Sequence, residues 1–329
     1  MTENVNILRR VLLQGGAGLA LSSLATHGAA QTWPARPIRL LAGYAPGGSS
    51  DITAREIGAP LARLLGQPVV VDNKPGASGA LAAAEVARAA PDGYTLGLVD
   101  NAPMTIVPSL RNPGYDPLAS FTLIAMVTQM PQVLVAAPTL PANSARELIE
   151  LMKKEPGKLN YGSGGSGSVG HLCAELLKSR SQTFAVHVPY RGAAPVVTAL
   201  MAGEIQFAFL TYTATAAFLK SGNLKALAVS STTRMPTLPR VPTIAENALP
   251  GFDAPGWFAL MAPAGLPAAI VATLNKALAE TMKMPAIVSR MEELGQTIAT
   301  GKVDPKQTIL AELGQWKRLI TERKIVVEG

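Results

Sequence analysis

Short apolar runs alternate with helical patterns along most of this chain, the rhythm of βαβ units and a parallel sheet. Ile38 to Ala42 reads as a buried strand, ended by Gly43-Tyr44-Ala45-Pro46-Gly47-Gly48. A helix is expected from about Asp51, with Ile57, Leu61, Leu64 and Leu65 on one face and a kink at Pro60. Val69-Val70-Val71 is the next strand, closed by Asn73-Lys74-Pro75-Gly76, and a second helix runs from about Gly79 to Ala89. Pro91-Asp92-Gly93 then turns the chain into strand Thr95–Val99.

The alternation continues through the middle. Apolar stretches Leu123–Val127 and Val133–Ala137 flank Met130-Pro131. Ser144 with Glu147 three residues on is a capping box ahead of Leu148, Ile149 and Met152. A glycine-serine loop leads into a helix from about Val169 to Lys178, and strands are expected near 184–188, 206–210 and 224–230. The last third is mostly helical. Ile270, Leu274, Leu278 and Met282 share one face, Asp304-Pro305 is a start signal, and Ile309, Leu313, Trp316 and Ile320 form a core stripe.

The first thirty residues stand apart. Arg9-Arg10, an apolar run from Val11 to Leu24 and the small residues Gly28-Ala29-Ala30 have the layout of a secretory signal peptide cleaved near Ala30. The run is shorter than the roughly 20 residues that span a bilayer. The paired arginines leave both the general and the twin-arginine export routes open. The formal net charge is +7, and +6 without residues 1–30, which carry two arginines and one glutamate. That excess is scattered rather than clustered, which argues against nucleic acid as a partner and fits an acidic small ligand. Cys173 is the only cysteine, so no intrachain disulfide forms and stability rests on a packed core.

Three loops lie where a strand hands over to a helix, the edge at which open α/β sheets bind ligands. The first runs from Tyr44 to Asp51 and contains Ala45, Pro46, Gly47, Gly48 and Ser49. Its glycines permit close backbone approach, and the helix start offers free N–H groups to a carboxylate. A tight turn capped by Ser50 or Asp51 is an equal reading of the same residues. The second, Lys74 to Ala80, places Ala77, Ser78 and Gly79 at a helix start, as many βα turns do. The third, Tyr161 to His171, is dense in small donors, with Ser163, Ser166, Gly167 and Ser168 ahead of His171. A flexible linker has similar composition, but this segment passes straight into an apolar helical pattern, which favours a binding loop.

Catalysis finds little footing. Ser163, Ser166 and Ser168 each miss the Gly-x-Ser-x-Gly spacing of a nucleophile elbow. Beyond residue 30 only His171 and His187 are available as bases. His171 and Glu175 are an i, i+4 pair without a third metal ligand, so neither a metal nor a cofactor is expected.

A series of fragments then occurs in order: Trp33-Pro34 with Arg36-Pro37-Ile38; Pro46-Gly47-Gly48 with Asp51 and Ala54-Arg55; Val71-Asp72-Asn73 with Pro75-Gly76-Ala77; Pro91-Asp92-Gly93-Tyr94-Thr95-Leu96. They are followed by Val188-Pro189-Tyr190-Arg191-Gly192, Leu227-Ala228-Val229, Val241-Pro242-Thr243-Ile244-Ala245-Glu246 and Ala262-Pro263-Ala264-Gly265-Leu266-Pro267. From about Trp33 to its C-terminus the chain resembles the extracytoplasmic solute receptors of tripartite tricarboxylate transporters, the Bug or TctC type. The resemblance implies a periplasmic two-lobe α/β fold, each lobe a mostly parallel sheet flanked by helices, joined by two crossing strands near Val127–Val135 and Pro255–Leu260. It implies a ligand carboxylate held by backbone amides of the first-lobe loops, with Asn101 and Ala102 facing the cleft and Thr211 opposite, after a second-lobe strand.

The expected organisation is a signal peptide over 1–30, a first lobe of 31–131 plus 255–329, and a second lobe of 132–254. The expected function is capture of a small carboxylate by a monomer that delivers it to transporter membrane subunits. The first-lobe loops, Gly47-Gly48 and Ser78 foremost, would grip the carboxylate, and the hydroxyls of Ser163, Ser166 and Ser168 with His171 would select what is attached to it. None of the three loops carries an arginine, and Arg191 is the remaining candidate for a second carboxylate. A ligand-presenting receptor for a two-component sensor is the alternative in the same fold, and a serine hydrolase the alternative in another class.

Overall fold

The computed structural model describes residues 33–325; the signal peptide expected over 1–30 lies outside the described residues. Strand β1 (Ile38–Ala42) is almost wholly buried because it runs parallel between β2 (Val69–Asn73) and β3 (Thr95–Asp100). Helix α1 (Ser49–Leu65) returns the chain from β1 to β2, and α2 (Ala80–Arg88) from β2 to β3. Pro60, where a kink is expected, lies inside one continuous helix that stops at left-handed Gly66. Its missing N–H costs the Glu56 carbonyl its intrahelical donor, a local loss offset by fully buried Ile57 and Leu61 on either side.

The first sheet continues with β4 (Phe121–Met130), β10 (Gly256–Pro263) and β11 (Thr297–Ile298), in the order β11-β4-β10-β3-β1-β2. The second is β7-β6-β8-β5-β9, built from β5 (Gln132–Ala136), β6 (Asn160–Ser163), β7 (Val186–Pro189), β8 (Phe207–Thr211) and β9 (Lys225–Val229). Both sheets are mixed. The βαβ strands pair in parallel as the alternation predicts, and the antiparallel pairs involve β4, β5 and β10, which carry the chain between the sheets, and the short edge strand β11.

Helices α4 (Ala145–Lys154), α5 (Val169–Ser181), α6 (Ala193–Ala202), α7 (Tyr212–Lys220) and α8 (Ile244–Asn247) accompany the second sheet. The capping box foreseen at Ser144 is displaced by one residue: Ser144 accepts from Glu147 N, but the Glu147 carboxylate turns to the amide of Asn143. A complete box forms instead at Thr243 and Glu246. Helix α11 (Pro305–Arg323), started by Asp304 as its side-chain cap, spans both cores. Its Ile309 packs with Leu41, Trp257 and Met261, while Trp316, Leu319 and Ile320 pack with Leu134, Leu172 and Leu177. Among the described residues no helix is long and apolar enough to cross a membrane.

The two sheets meet at a narrow crossing. One chain passage is Met130-Pro131-Gln132, leaving β4 and entering β5 with a single residue between them. The other enters β10 at Gly256, paired with Met130. A Cβ on Gly256 would lie 3.0 Å from the Met130 carbonyl oxygen and 3.2 Å from its Cγ, so the two passages press together where only glycine fits without displacement. Ser230 closes the seam: its Oγ accepts from Gln132 N at 2.9 Å and donates to Ala254 O at 2.9 Å, while its own amide bonds Gln132 O. The Cys173 thiol donates to the same Ala254 carbonyl. Replacing Ser230 with Ala would leave the buried Gln132 N–H without its acceptor, so unfolding free energy from denaturant titration should fall by about 1–3 kcal/mol.

Candidate ligand-binding site

Three first-sheet loops converge at the C-terminal ends of parallel strands. A Cβ on Gly43 would fall 2.8 Å from Gly79 Cα, and one on Gly79 would meet Pro103 and Tyr44. These contacts bring the loops after β1, β2 and β3 into one cluster. Asn73 ties it from below by donating its side-chain amide to the Tyr44 carbonyl, and the Tyr44 hydroxyl donates to Asp100 Oδ2 at 2.7 Å. Four successive residues, Gly76, Ala77, Ser78 and Gly79, have positive φ. For Ala77 and Ser78 that is backbone strain of order 1–3 kcal/mol, of a kind that gathers at ligand clamps. Asn101 and Ala102 follow β3 directly, and the π-helical turn Ala102–Ile106 begins there.

The amides expected to grip a ligand are partly spent inside the first loop. Gly47 N donates to Asp51 Oδ2 at 2.9 Å, and Gly48 N turns back to Ala45 O at 3.3 Å. Asp51 is therefore the cap of a turn, and the glycine pair shapes the loop instead of facing the cleft with its N–H groups. The amides of Ser49, Ser50 and Asp51 precede the first backbone bond of α1, Ile52 N to Gly48 O, and no side chain caps them from Gly48. The available donors in this loop are thus those of the helix start rather than those of the glycine pair.

The second-sheet side is reached from Ser49, whose hydroxyl donates to Thr211 Oγ1 at 3.2 Å. Thr211 ends β8 and holds the N-cap position of α7 without a side-chain capping bond. Beside it the glycine-serine loop is held mainly by its own side chains. Ser163 is fully buried, bonds Gly165 through both its carbonyl and its amide, and lies 2.7 Å from His187 Nε2. Ser168 accepts from His171 N as the cap of α5. His171, also buried, accepts the Gly167 amide on Nδ1 at 3.1 Å. Three of the four side chains expected to select the ligand are committed to the loop, which leaves Ser166, half-buried, as the free hydroxyl. Gly192 N bonds Gly164 O, so Arg191, exposed, stands next to this loop. Sequence reasoning missed Asn73, Asp100 and His187, whose partners lie 24 to 56 residues away along the chain.

Burial dominates the electrostatics. Asp100, desolvated, is pushed up to about 7 despite hydrogen bonds from Tyr44 and the Ala102 backbone. Glu312 on α11 is likewise raised to about 7 by burial, although Trp257, Thr105 and Trp316 donate to it. His171 is lowered to about 3 by burial and by His187 and Lys178, and His187 to about 4 by burial, with Glu175 opposing. Among the described residues no group of His, Cys, Asp and Glu is arranged to hold a metal ion.

Two helix starts and a strained turn on one sheet, facing a hydroxyl-bearing strand tip on another across a two-strand crossing, define a two-lobe solute receptor. Residues 53–325 match the family model described as the tripartite tricarboxylate transporter family receptor, TctC, and the chain belongs to that family. It is 35% identical over 318 residues to protein BugT of Bordetella pertussis strain Tohama I, covering 96% of this chain and 98% of that one. Among solved structures it is similar to R. palustris Rpa4515 with adipate, at a TM-score of 0.82 and 32% identity over 90% of this chain and all of the other. It is similar also to MatC from Rhodopseudomonas palustris with bound malate, at a TM-score of 0.79 and 32% identity over 88% of this chain and all of the other.

The shifted groups give opposed pH dependences. Unfolded histidines take up protons below about 6.5, whereas the folded rings stay neutral to about 4 and below, so their contribution is lost as pH falls from about 6.5 toward 4. Unfolded acids release protons near 4, but folded Asp100 and Glu312 hold theirs to about 7, so their contribution is lost as pH rises from about 4 to 7. An Asp100→Asn, Glu312→Gln variant removes the two acids that oppose the histidines most strongly. Its unfolding free energy should rise between pH 4.5 and 6 by about 1.4 kcal/mol per histidine per pH unit, against a flatter profile for the parent.

Proposed function

We propose that this receptor captures a small dicarboxylate and delivers it to the membrane subunits of its transporter. The observation that carries the reading is the bond from Ser49 to Thr211, which brings the free amides at the start of α1 opposite the second-sheet loops. One carboxylate fits the first-lobe side, where the α1 amides and the strained Ala77-Ser78 turn offer N–H donors. Charge-assisted bonds of that kind contribute roughly 1.5–3 kcal/mol each. The Ser50 hydroxyl, in the first turn of α1, and Asn101 Oδ1, just after β3, are buried with no protein partner. The other carboxylate fits Arg191 beside the Gly164–Ser166 backbone, a fork that recognises planar anions. The relatives with adipate and malate support a ligand bearing two acid groups.

The division into a first lobe of 31–131 and 255–329 and a second of 132–254 belongs to this reading, with the hinge at the seam of Gln132, Ser230 and Ala254. A hydrolytic reading draws only on the contact between Ser163 and His187. Ser163 is fully buried, so a substrate has no route to its hydroxyl, and His187 is too weak a base to deprotonate it near neutrality. The receptor reading also includes a monomeric mature chain beginning near residue 31.

Calorimetry against a panel of mono- and dicarboxylates tests the proposal. Malate or adipate should bind more tightly than the matched monoacids, and Arg191→Met should weaken the diacids at least about tenfold, ~1.4 kcal/mol, while changing the monoacids little. A panel with no preference for diacids would overturn the assignment.

A further inference from the structure

The glycine-serine loop is shaped from behind by two histidines on different elements. Parallel pairing of β6 with β7 sets His187 opposite Tyr161. Its ring stacks on Tyr161 with centroids 4.9 Å apart and on His171 at 4.0 Å, tilted 21° and 11°. Stacking on both neighbours, whose own centroids lie 6.3 Å apart, restrains the imidazole, and Nε2 lies 2.7 Å from Ser163 Oγ. That hydroxyl also meets Gly165 O at 3.0 Å and Gly165 N at 3.3 Å. It has one hydrogen to give. If the hydrogen goes to Gly165 O, the oxygen accepts both Gly165 N–H and His187 Nε2–H, and all three contacts are satisfied. The opposite tautomer would draw the hydroxyl hydrogen to His187 and leave the Gly165 carbonyl without it. His171 is fixed by the same logic: its Nδ1 accepts from Gly167 N, so its proton is on Nε2.

The loop therefore has two anchors, each at a glycine with positive φ, Gly165 at 137° and Gly167 at 78°. Gly167 in turn faces Leu110 of α3 (Val107–Leu110), where a Cβ would come within 3.1 Å of the leucine methyl, so the loop's shape is read across the interface between the two halves. Serine and glycine alone do not hold such a loop in one form, since every residue from Gly164 to Gly167 is small.

We propose that His187 is a positioning residue for ligand binding, which through Ser163 and in a stack with His171 fixes the loop from Ser163 to Ser168 against the ligand. This rests on the carboxylate reading for its binding consequence only; the loop geometry stands apart from it. His187→Phe keeps a stacking ring and loses the donor, whereas His187→Gln restores an N–H at the reach of Nε2. Amide exchange followed by NMR should be at least tenfold faster at Gly165 in the Phe variant and return to within about threefold of the parent in the Gln variant. Malate and adipate affinities should follow the same order, weakened at least fivefold by Phe and recovered by Gln. Tyr161→Phe, which loses a buried bond to Glu175 but keeps its ring, should leave Gly165 exchange unchanged.

Imidazole nitrogen shifts of the unmodified protein give a test that needs no variant. Both rings should carry their proton on Nε2, and a His187 protonated on Nδ1 alone would overturn the proposal. So would unchanged Gly165 exchange in the Phe variant, or a Gln variant that recovers thermal stability without recovering exchange. If the parent binds neither malate nor adipate, the dicarboxylate reading fails by itself, and the exchange and nitrogen shifts still decide the role of His187.

Discussion

The fold depends on two strand passages pressed against each other between the sheets. Gly256 lies against Met130 where a side chain would collide with a carbonyl oxygen, and the serine at 230 satisfies the backbone groups that the crossing strips from both ladders. A strand that leaves one sheet for another loses pairing partners on the way, and a buried crossing has little water to replace them. Here one hydroxyl, acting as acceptor and donor together, fills that need. Everything farther out follows. β4 and β10 must run antiparallel in the first sheet because both pass through this point, and the parallel βαβ strands are added on one side.

Much of that plan is legible in the chain. Short apolar runs bounded by Gly and Pro are strands to within three residues at either end, and Met130-Pro131 marks the first crossing because proline cannot donate to a ladder. The candidate site is proposed from the same kind of signal: glycines and small polar residues cluster where strands give way to helices. Its inner wiring is not. Whether Gly47 N faces a ligand or Asp51 depends on how one carboxylate turns, and Asp51 reads equally well as a helix cap. Ser163 looks like a free donor in a serine-rich loop, yet its partner is 24 residues on, brought near only by strand pairing. Asp100 escapes notice altogether, since a strand-end aspartate is ordinary until Tyr44 is seen to point at it.

Helix α11 shows how the two halves share one stability. Its first turns pack beside Trp257 and its last beside Leu172, with Glu312 between them accepting from the indoles of Trp257 and Trp316 and the hydroxyl of Thr105. An acid so enclosed is tolerable because three donors converge on it, the condition under which burying a carboxyl group is not ruinous. The same helix ends beside the second sheet's polar cluster, where Arg323 lies near Glu175, itself paired with Lys178. A bridge of this kind ties the two cores together, and parting them would require the apolar face of α11 to repack.

Cys173 is the one thiol in the chain, fully buried, and its Sγ–H points at the Ala254 carbonyl of the seam. Burial raises it well above the usual thiol range, which keeps it from ionising. A lone reactive cysteine invites cross-linked dimers wherever oxidants and other thiols are present. Here the hazard is removed by folding itself: once helix α5 is docked, the sulfur is out of reach, and only chains that have failed to seat that helix remain open to capture. Protection of the thiol is therefore tied to completion of the fold: the sulfur is only as sheltered as the docking of α5 is stable.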